Sequence, residues 1–249
     1  MSLLWQKREN NTLYEVRAAG NSRRLYTDGV FHSQYNANNP VTGNVWDLLL
    51  LPAFFYAPHE IKRVLVLGVG GGAVLQQLNY FLALDEIVGV ELDPVHLYIA
   101  KRFFNTRQKN IKLYQANAID WLQEYKGPGF DLIIDDLFAG VHGEPSRAVE
   151  ANSRWARQLL KHLSAQGALI CNFISYKELK ASAYVDDEAI AAEFESAFVL
   201  THPHYVNNIA AFLRKPASSR ELRQRLETIP ELNPNRKASR LKYRIRSIN

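Results

Sequence analysis

The residues that most narrow what this chain can become run from Arg63 to Leu78, RVLVLGVGGGAVLQQL. Val64 to Leu67 is an unbroken apolar run, the pattern of a parallel strand covered on both faces, which has no polar side to display. Gly68, Gly70, Gly71 and Gly72 then admit backbone angles closed to other residues and leave no side chain between the main chain and a ligand. Val74, Leu75 and Leu78 fall on one stripe of a following helix, whose N-terminus turns its free N–H groups toward that gap. Such a turn is shaped to hold a nucleotide.

A glycine turn by itself is also a common structural device. The next segment adds weight, because Glu86 to Glu91 (EIVGVE) reads as a second buried strand ending in a carboxylate. Glu91 follows the turn at about the 20-residue offset at which an acid accepts both ribose hydroxyls in dinucleotide folds. The order of strand, glycine turn, helix, strand and acid is what carries the expectation.

Beyond this point strand and helix patterns alternate, which predicts a mostly parallel sheet with helices on both faces. Asp93-Pro94 caps a helix over Val95 to Phe104. Ile111 to Gln115, Phe130 to Asp135 and Ala168 to Phe173 read as further strands, with helices over Ala118 to Tyr125, Ser153 to Leu163 and Asp186 to Phe198. Val199 to His202 and Ile209 to Leu213, only a few residues apart, predict an antiparallel pair at the sheet edge.

The expected fold is therefore α/β, Rossmann-like, with a seven-stranded sheet, an antiparallel C-terminal strand pair and a small antiparallel β appendage in front. Three short strands separated by turn sequences lie between residues 12 and 33, and an apolar helix over Val45 to Tyr56 is interrupted near Pro52. The boundaries are an appendage with linking helix over 1–60, a nucleotide-binding domain over 61–215 and a basic tail over 216–249. Ser219 to Ile229 reads as a terminal helix.

Length and composition fit one large α/β domain with a substantial core. The single cysteine, Cys171, excludes an internal disulfide and a multi-cysteine zinc site, and its apolar setting marks a buried small side chain. Met1 to Asn10 lacks a signal-peptide core, and the apolar stretch Leu48 to Ala57 is too short for a bilayer, so the expected location is the cytoplasm, without a membrane partner. The net charge of +5 is uneven: Arg214 to Asn249 holds 11 Lys and Arg against 3 Glu. A basic tail is a candidate surface for nucleic acid, although a solvated helix face is the more common outcome.

The motifs LYTDGVF (25–31), VLVLGVGGG (64–72), VGVELD (88–93) and FDLIIDD (130–136) together resemble the spermidine synthase-like members of the class I S-adenosylmethionine-dependent methyltransferase superfamily. The resemblance implies that Gly68, Gly70 and Gly72 line the methionine part of S-adenosylmethionine or its decarboxylated form, and that Glu91 binds the ribose. It places Asn117 and Ala118 where the family reads the adenine amino group through Asp-Ala; the Asn117 amide oxygen still accepts that bond. Asp136 falls on the aspartate that helps activate the attacking amine in aminopropyltransferases. A homodimer is the assembly that such a β appendage commonly supports.

The departures from that family are as informative. Polyamine-forming members carry an acid where this chain has Gly71 and a second one where it has Ala139. A Tyr-His-Glu type signature corresponds to Val45-Trp46-Asp47, and a family Gln to His32. Polyamines need carboxylates to offset the desolvation of their ammonium groups. The first expectation is therefore a methyltransferase acting on a small-molecule acceptor, and the second an aminopropyltransferase using the decarboxylated donor. A nicotinamide-dependent oxidoreductase also fits the glycine fingerprint, and a non-catalytic binding protein on the same scaffold is a fourth reading.

Transfer from a sulfonium centre requires alignment and one proton acceptor, so few catalytic groups are expected. Asp136 and Asp135 are the candidates, at the C-terminal end of the fourth strand beside the cofactor crevice. His142 and Glu144 in the next loop, and His32 and Tyr35 from the appendage, are weaker ones. His202 and His204 flank Pro203 without a third metal ligand, so no metal site is expected. Trp46, Trp121 and Trp155 read as core residues, and Asp93 as a helix cap.

Overall fold

A computed structural model describes residues 1–141 and 144–248. Four antiparallel strands open the chain: β1 (Ser2–Glu9), β2 (Thr12–Ala19), β3 (Ser22–Thr27) and β4 (Val30–Tyr35), paired in sequence order. After helix α1 (Val45–Leu50) and a 3-10 turn at Leu51–Phe55, where Pro52 stands, the main sheet begins. Its parallel strands are β5 (Arg63–Leu67), β6 (Glu86–Glu91), β7 (Ile111–Gln115), β8 (Phe130–Asp135) and, after a short β9 (Phe138–Val141) and β10 (Glu144–Arg147) hairpin, β11 (Leu163–Phe173). The helices between them are α2 (Ala73–Phe81), α3 (Pro94–Phe103), α4 (Ala118–Glu124) and α5 (Ser153–Leu160).

Strands β12 (Ser196–Thr201) and β13 (Asn208–Leu213) form the expected antiparallel pair, with β13 inserted between β11 and β12. One strand more than the expected seven completes the sheet: β14 (Arg244–Ser247), from the basic tail, pairs antiparallel with β12. The eight strands run in the order β14-β12-β13-β11-β8-β5-β6-β7. The sheet order reverses at β5 and β8, and in open α/β sheets that switch point is where ligands bind.

Each face of the sheet is sealed by its own cluster. Val64, Val66, Ile134 and Ile170 pack under α1 and α2, while Leu65, Leu67, Ile133 and Leu169 pack under α4 and α5. Period-two alternation between two apolar layers is why these strands read as continuous hydrophobic runs. A third cluster, Val16 and Leu25 against Ile99 and Phe104, seats the appendage on α3.

Two expectations are corrected. After two short helices, α6 (Tyr176–Lys180) and α7 (Ala183–Asp186), the helix read over Asp186 to Phe198 is instead the single turn α8 (Glu188–Ala191), and the last residues of that span already belong to β12. The Asp187 carboxylate restarts the helix by accepting the Ala189 and Ile190 N–H groups, which breaks a continuous one. The tail is built into the main core: α9 (Ser219–Thr228) buries Leu222 and Leu226 completely, and Leu232 and Leu241 follow them. Cutting Leu226 to Ala in this packed setting is expected to lower stability by about 2–5 kcal/mol. Urea unfolding measures it, and a change under about 0.5 kcal/mol would mean that the tail is not docked in solution.

Candidate functional site

The glycine turn leaves β5 at the switch point, with Gly68, Gly70 and Gly72 all at positive φ (86°, 52° and 88°). Gly68 has a second reason to be glycine, since a Cβ there would collide with the Asp136 carbonyl oxygen. Its N–H donates to the Val90 carbonyl at 2.9 Å, and the Asp136 N–H donates to the Leu67 carbonyl at 2.9 Å. The ends of β6, β5 and β8 are thereby stitched side by side, which brings Glu91, the glycine turn and Asp136 together.

Glu91 is bound closely to the turn. Its Oε2 accepts the N–H groups of Val69 (3.0 Å) and Gly70 (2.9 Å), and its Oε1 accepts that of Asp93 (2.9 Å). With both lone pairs of Oε2 taken, Oε1 can accept one further hydrogen bond, and the residue stays partly accessible. Leu92 beside it is 66% exposed. At the end of β7, Asn117 caps α4 by accepting the Ile119 N–H at 2.8 Å, and Ala118 is buried behind it. A carboxylate with one spare acceptor site, an open apolar side chain and a helix-capping amide with its NH2 still to donate, on adjacent strand ends, fit the ribose and adenine of an adenosyl cofactor.

Asp135 and Asp136 diverge, because successive residues of a strand point to opposite faces. Asp135 is fully buried; its Oδ2 accepts from Arg147 Nη2 at 2.6 Å and from Trp155 Nε1 at 2.9 Å. Arg147 reaches it from β10 and also donates to the Asn172 carbonyl oxygen at 2.6 Å. Burial lowers the Arg147 pKa, but Asp135 more than offsets that, and the guanidinium remains charged. Asp135 is thus committed to a buried ion pair.

Asp136 lies deep among protein atoms yet keeps partial access to the crevice. Its Oδ1 accepts from Asn172 Nδ2 at 2.7 Å, and Asn172 in turn accepts from Asn207 Nδ2 at 3.0 Å. Burial pushes its pKa up to about 7; Asp135 and Glu91 push the same way, against the Asn172 hydrogen bond and Arg147. A carboxyl group poised near neutrality in a cleft has the properties of a general base.

Strand β4 crosses over the glycine turn. Ser33 Oγ lies 3.4 Å from the Ala73 N–H, and a Cβ on Gly71 would stand 2.7 Å from Ser33 Cβ and 2.9 Å from the Phe104 ring. The acid that polyamine-forming members carry there has no room. His32 packs against His96, with ring centroids 5.2 Å apart, and burial followed by His96 lowers its pKa to about 4. His96 bonds Thr27 at 2.9 Å and approaches Glu91 and Asp93 to 4.0 Å, while the Tyr14 hydroxyl donates to Asp93 at 2.7 Å. Asp93 also caps α3 as expected, accepting the Val95 N–H.

Arg147, Asn172 and Asn207 went unread in the sequence, where they stand far from Asp136 and carry no motif. His142 lies outside the described residues, as does the Glu144 side chain, and Ala139 is exposed. Tyr35 packs on Phe104, Trp46 on Phe31 and Trp121 on Tyr125. Cys171 is fully buried, and burial drives its thiol pKa well up. Among the described residues no three His, Cys, Asp or Glu side chains gather as a metal site, and no helix is long and apolar enough to cross a membrane.

Comparison with known proteins gives the family and the fold. The sequence model of the spermine/spermidine synthase domain matches residues 48–220. The polyamine aminopropyltransferase 2 of Caldanaerobacter subterraneus subsp. tengcongensis is 27% identical over 106 residues, 41% of this chain and 35% of that protein. An eEF1A lysine and N-terminal methyltransferase homolog of Drosophila melanogaster is 28% identical over 110 residues, 41% of this chain and 16% of that one. These matches span well under half the length of the curated relatives. In fold, the chain is similar to a probable spermidine synthase from Corynebacterium glutamicum, with a TM-score of 0.74 at 15% identity, covering 98% of this chain and 90% of the other. Human methyltransferase-like protein 13 aligns with a TM-score of 0.55 at 19% identity, over 78% and 91% of the two chains. With its glycine turn, Glu91 and Asp136 all inside the matched span, the chain belongs to the spermine/spermidine synthase domain family.

Proposed function

We propose that this protein transfers an aminopropyl group from decarboxylated S-adenosylmethionine to the nitrogen of a small amine. The observation that carries the reading is Asp136, held near pKa 7 beside the glycine turn within the family's span. The relatives named as polyamine aminopropyltransferases favour it over the methyl transfer that the sequence departures put first. When bound, the donor supplies a carbon already activated by a sulfonium. The residues of this chain then have three tasks. The glycine turn and Glu91 hold the adenosyl half, the Asp136 carboxylate takes the amine proton, and Asn172 fixes the orientation of that carboxylate.

A second reading, methyl transfer from S-adenosylmethionine, has one observation in its favour. Ser33 and Phe104 fill the place beside Gly71, so the acid that an aminopropyl ammonium would meet there is excluded. Among the described residues Asp136 is then the carboxylate proposed to face this ammonium. Turnover with each donor and a panel of mono- and diamines, read by mass spectrometry, separates the two. Aminopropylated product with the decarboxylated donor is expected, whereas methylated product alone would replace the proposal by the second reading.

Removal of the base should show in rate and in stability with opposite signs. Asp136→Asn keeps an acceptor for Asn172 and is expected to reduce kcat by about 10²–10⁴, and the wild-type rate should rise with pH through about 7. A variant rate within threefold of wild type would remove Asp136 from the chemistry.

In the unfolded chain this carboxyl ionises near pH 4, but in the fold only near 7. Between those values the folded state binds more protons, so wild-type stability falls as pH rises and the full penalty is present at pH 8. Asp136→Asn is therefore expected to be more stable than wild type at pH 8, by up to about 4 kcal/mol, and nearly equal to it at pH 4. Denaturant unfolding at the two pH values checks this.

A further inference from the structure

A cavity of about 730 Å³ opens between the appendage, the loop at Thr42–Asn44, the end of β12 and the C-terminal tail. None of its lining residues belongs to the glycine turn, Glu91 or Asp136. Three fixed cations line it, Arg24, Arg240 and Lys242, together with His202 and His204, and among the described lining residues there is no carboxylate. We propose that this cavity binds a small phosphorylated molecule.

The cations are placed there by the fold. Leu241 is 3% exposed and anchored in the main core, and the flanking Arg240 and Lys242 both line the cavity. Gly43, whose φ of +73° favours glycine, packs against the tail, with its Cβ position in ordinary contact with the Arg240 carbonyl oxygen at 3.4 Å. Arg24 is steadied by Gln34, which accepts from its Nε at 2.7 Å. Asp47, whose oxygens accept from Thr42, Gly43 and Gln77, is not among the lining residues, and burial raises its pKa toward the uncharged form.

His202 supplies an independent sign. It is 5% exposed, and its Nδ1 accepts the His204 N–H at 3.1 Å, which leaves the ring proton on Nε2. That nitrogen is buried and has no partner among the described residues. Burial, then His204 and Lys242, lowers the His202 pKa, so the ring sits in a field that an anion would relieve. Three cations, the His204 imidazole and the hydroxyls of Ser22 and Ser239 suit a ligand of two or more negative charges with several acceptor oxygens. The volume is that of a nucleotide-sized molecule, and the site does not depend on the transfer reaction.

Calorimetric titration of the full chain with inorganic pyrophosphate tests the site, with a ten-residue oligouridylate as a second probe. Pyrophosphate binding is expected to weaken at least tenfold in Arg240→Glu/Lys242→Glu and to stay within twofold in Arg236→Glu/Lys237→Glu, an equal charge change in the same tail away from the cavity. Thermal melts confirm that both variants fold. Equal weakening in both would assign the binding to diffuse charge. No binding at millimolar pyrophosphate, or tight binding of the oligonucleotide alone, would likewise overturn the proposal.

Discussion

The structure turns on a backbone contact at the ends of β5 and β8. Gly68 must lie against the Asp136 carbonyl, which no side chain permits, while the Asp136 N–H closes on Leu67 and the Gly68 N–H on Val90. These bonds use main-chain groups that burial would otherwise leave unpaired, and each unpaired group would cost about 1–3 kcal/mol. The same contact sets the geometry of the crevice, because Glu91 leaves β6 one residue after Val90 and clamps the turn through the N–H groups of Val69 and Gly70. The site is held by strand pairing, with side chains added to it.

Two adjacent carboxylates meet opposite fates from this arrangement. The pleat sends Asp135 into the α5 side of the sheet, where Arg147 and the Trp155 indole compensate its burial. Losing one partner of such a pair is severe, since the other charge stays buried. Asp136 receives only an amide N–H donor, and burial with two neighbouring acids raises its proton affinity. Arg147 thereby serves both residues, because it neutralises one and, through the Asn172 carbonyl, helps place the donor to the other. The DD pair in sequence gives no hint of this division.

What could be read from the chain divides along physical lines. Strands buried on both faces declare themselves by composition, and caps such as Asp93-Pro94 act over three residues, so β5, β6, β8 and α3 stand where the pattern puts them, and the edge strand β7 lies beside them as expected. The outer strands β1 and β14 do not declare themselves. β1 carries mostly exposed residues and exists because the Asn10-Asn11 turn, at φ 48° and 65°, folds it back on β2. β14 is four residues of alternating charge whose pairing is decided by β12. Glu91 and Asp136 were legible as strand-end acids, whereas Asn172 and Asn207 reach the site across 36 and 71 positions, a proximity only the fold creates.

The appendage explains why the site departs from polyamine-forming members. β4 lies directly on the glycine turn, with Ser33 and Phe104 occupying the space over Gly71. An acid at 71 would therefore demand that β4 lift, and with it the Val16 and Leu25 packing on α3. In the aminopropyl reading Asp136 is the carboxylate proposed to meet the donor's ammonium, while His32, its pKa lowered to about 4 by burial, offers only a weak dipole on the appendage side. One carboxylate near pKa 7 can balance one ammonium or take one proton. It cannot do both at once, so whichever acceptor is used must arrive with its reacting nitrogen unprotonated or give up its proton before the transfer.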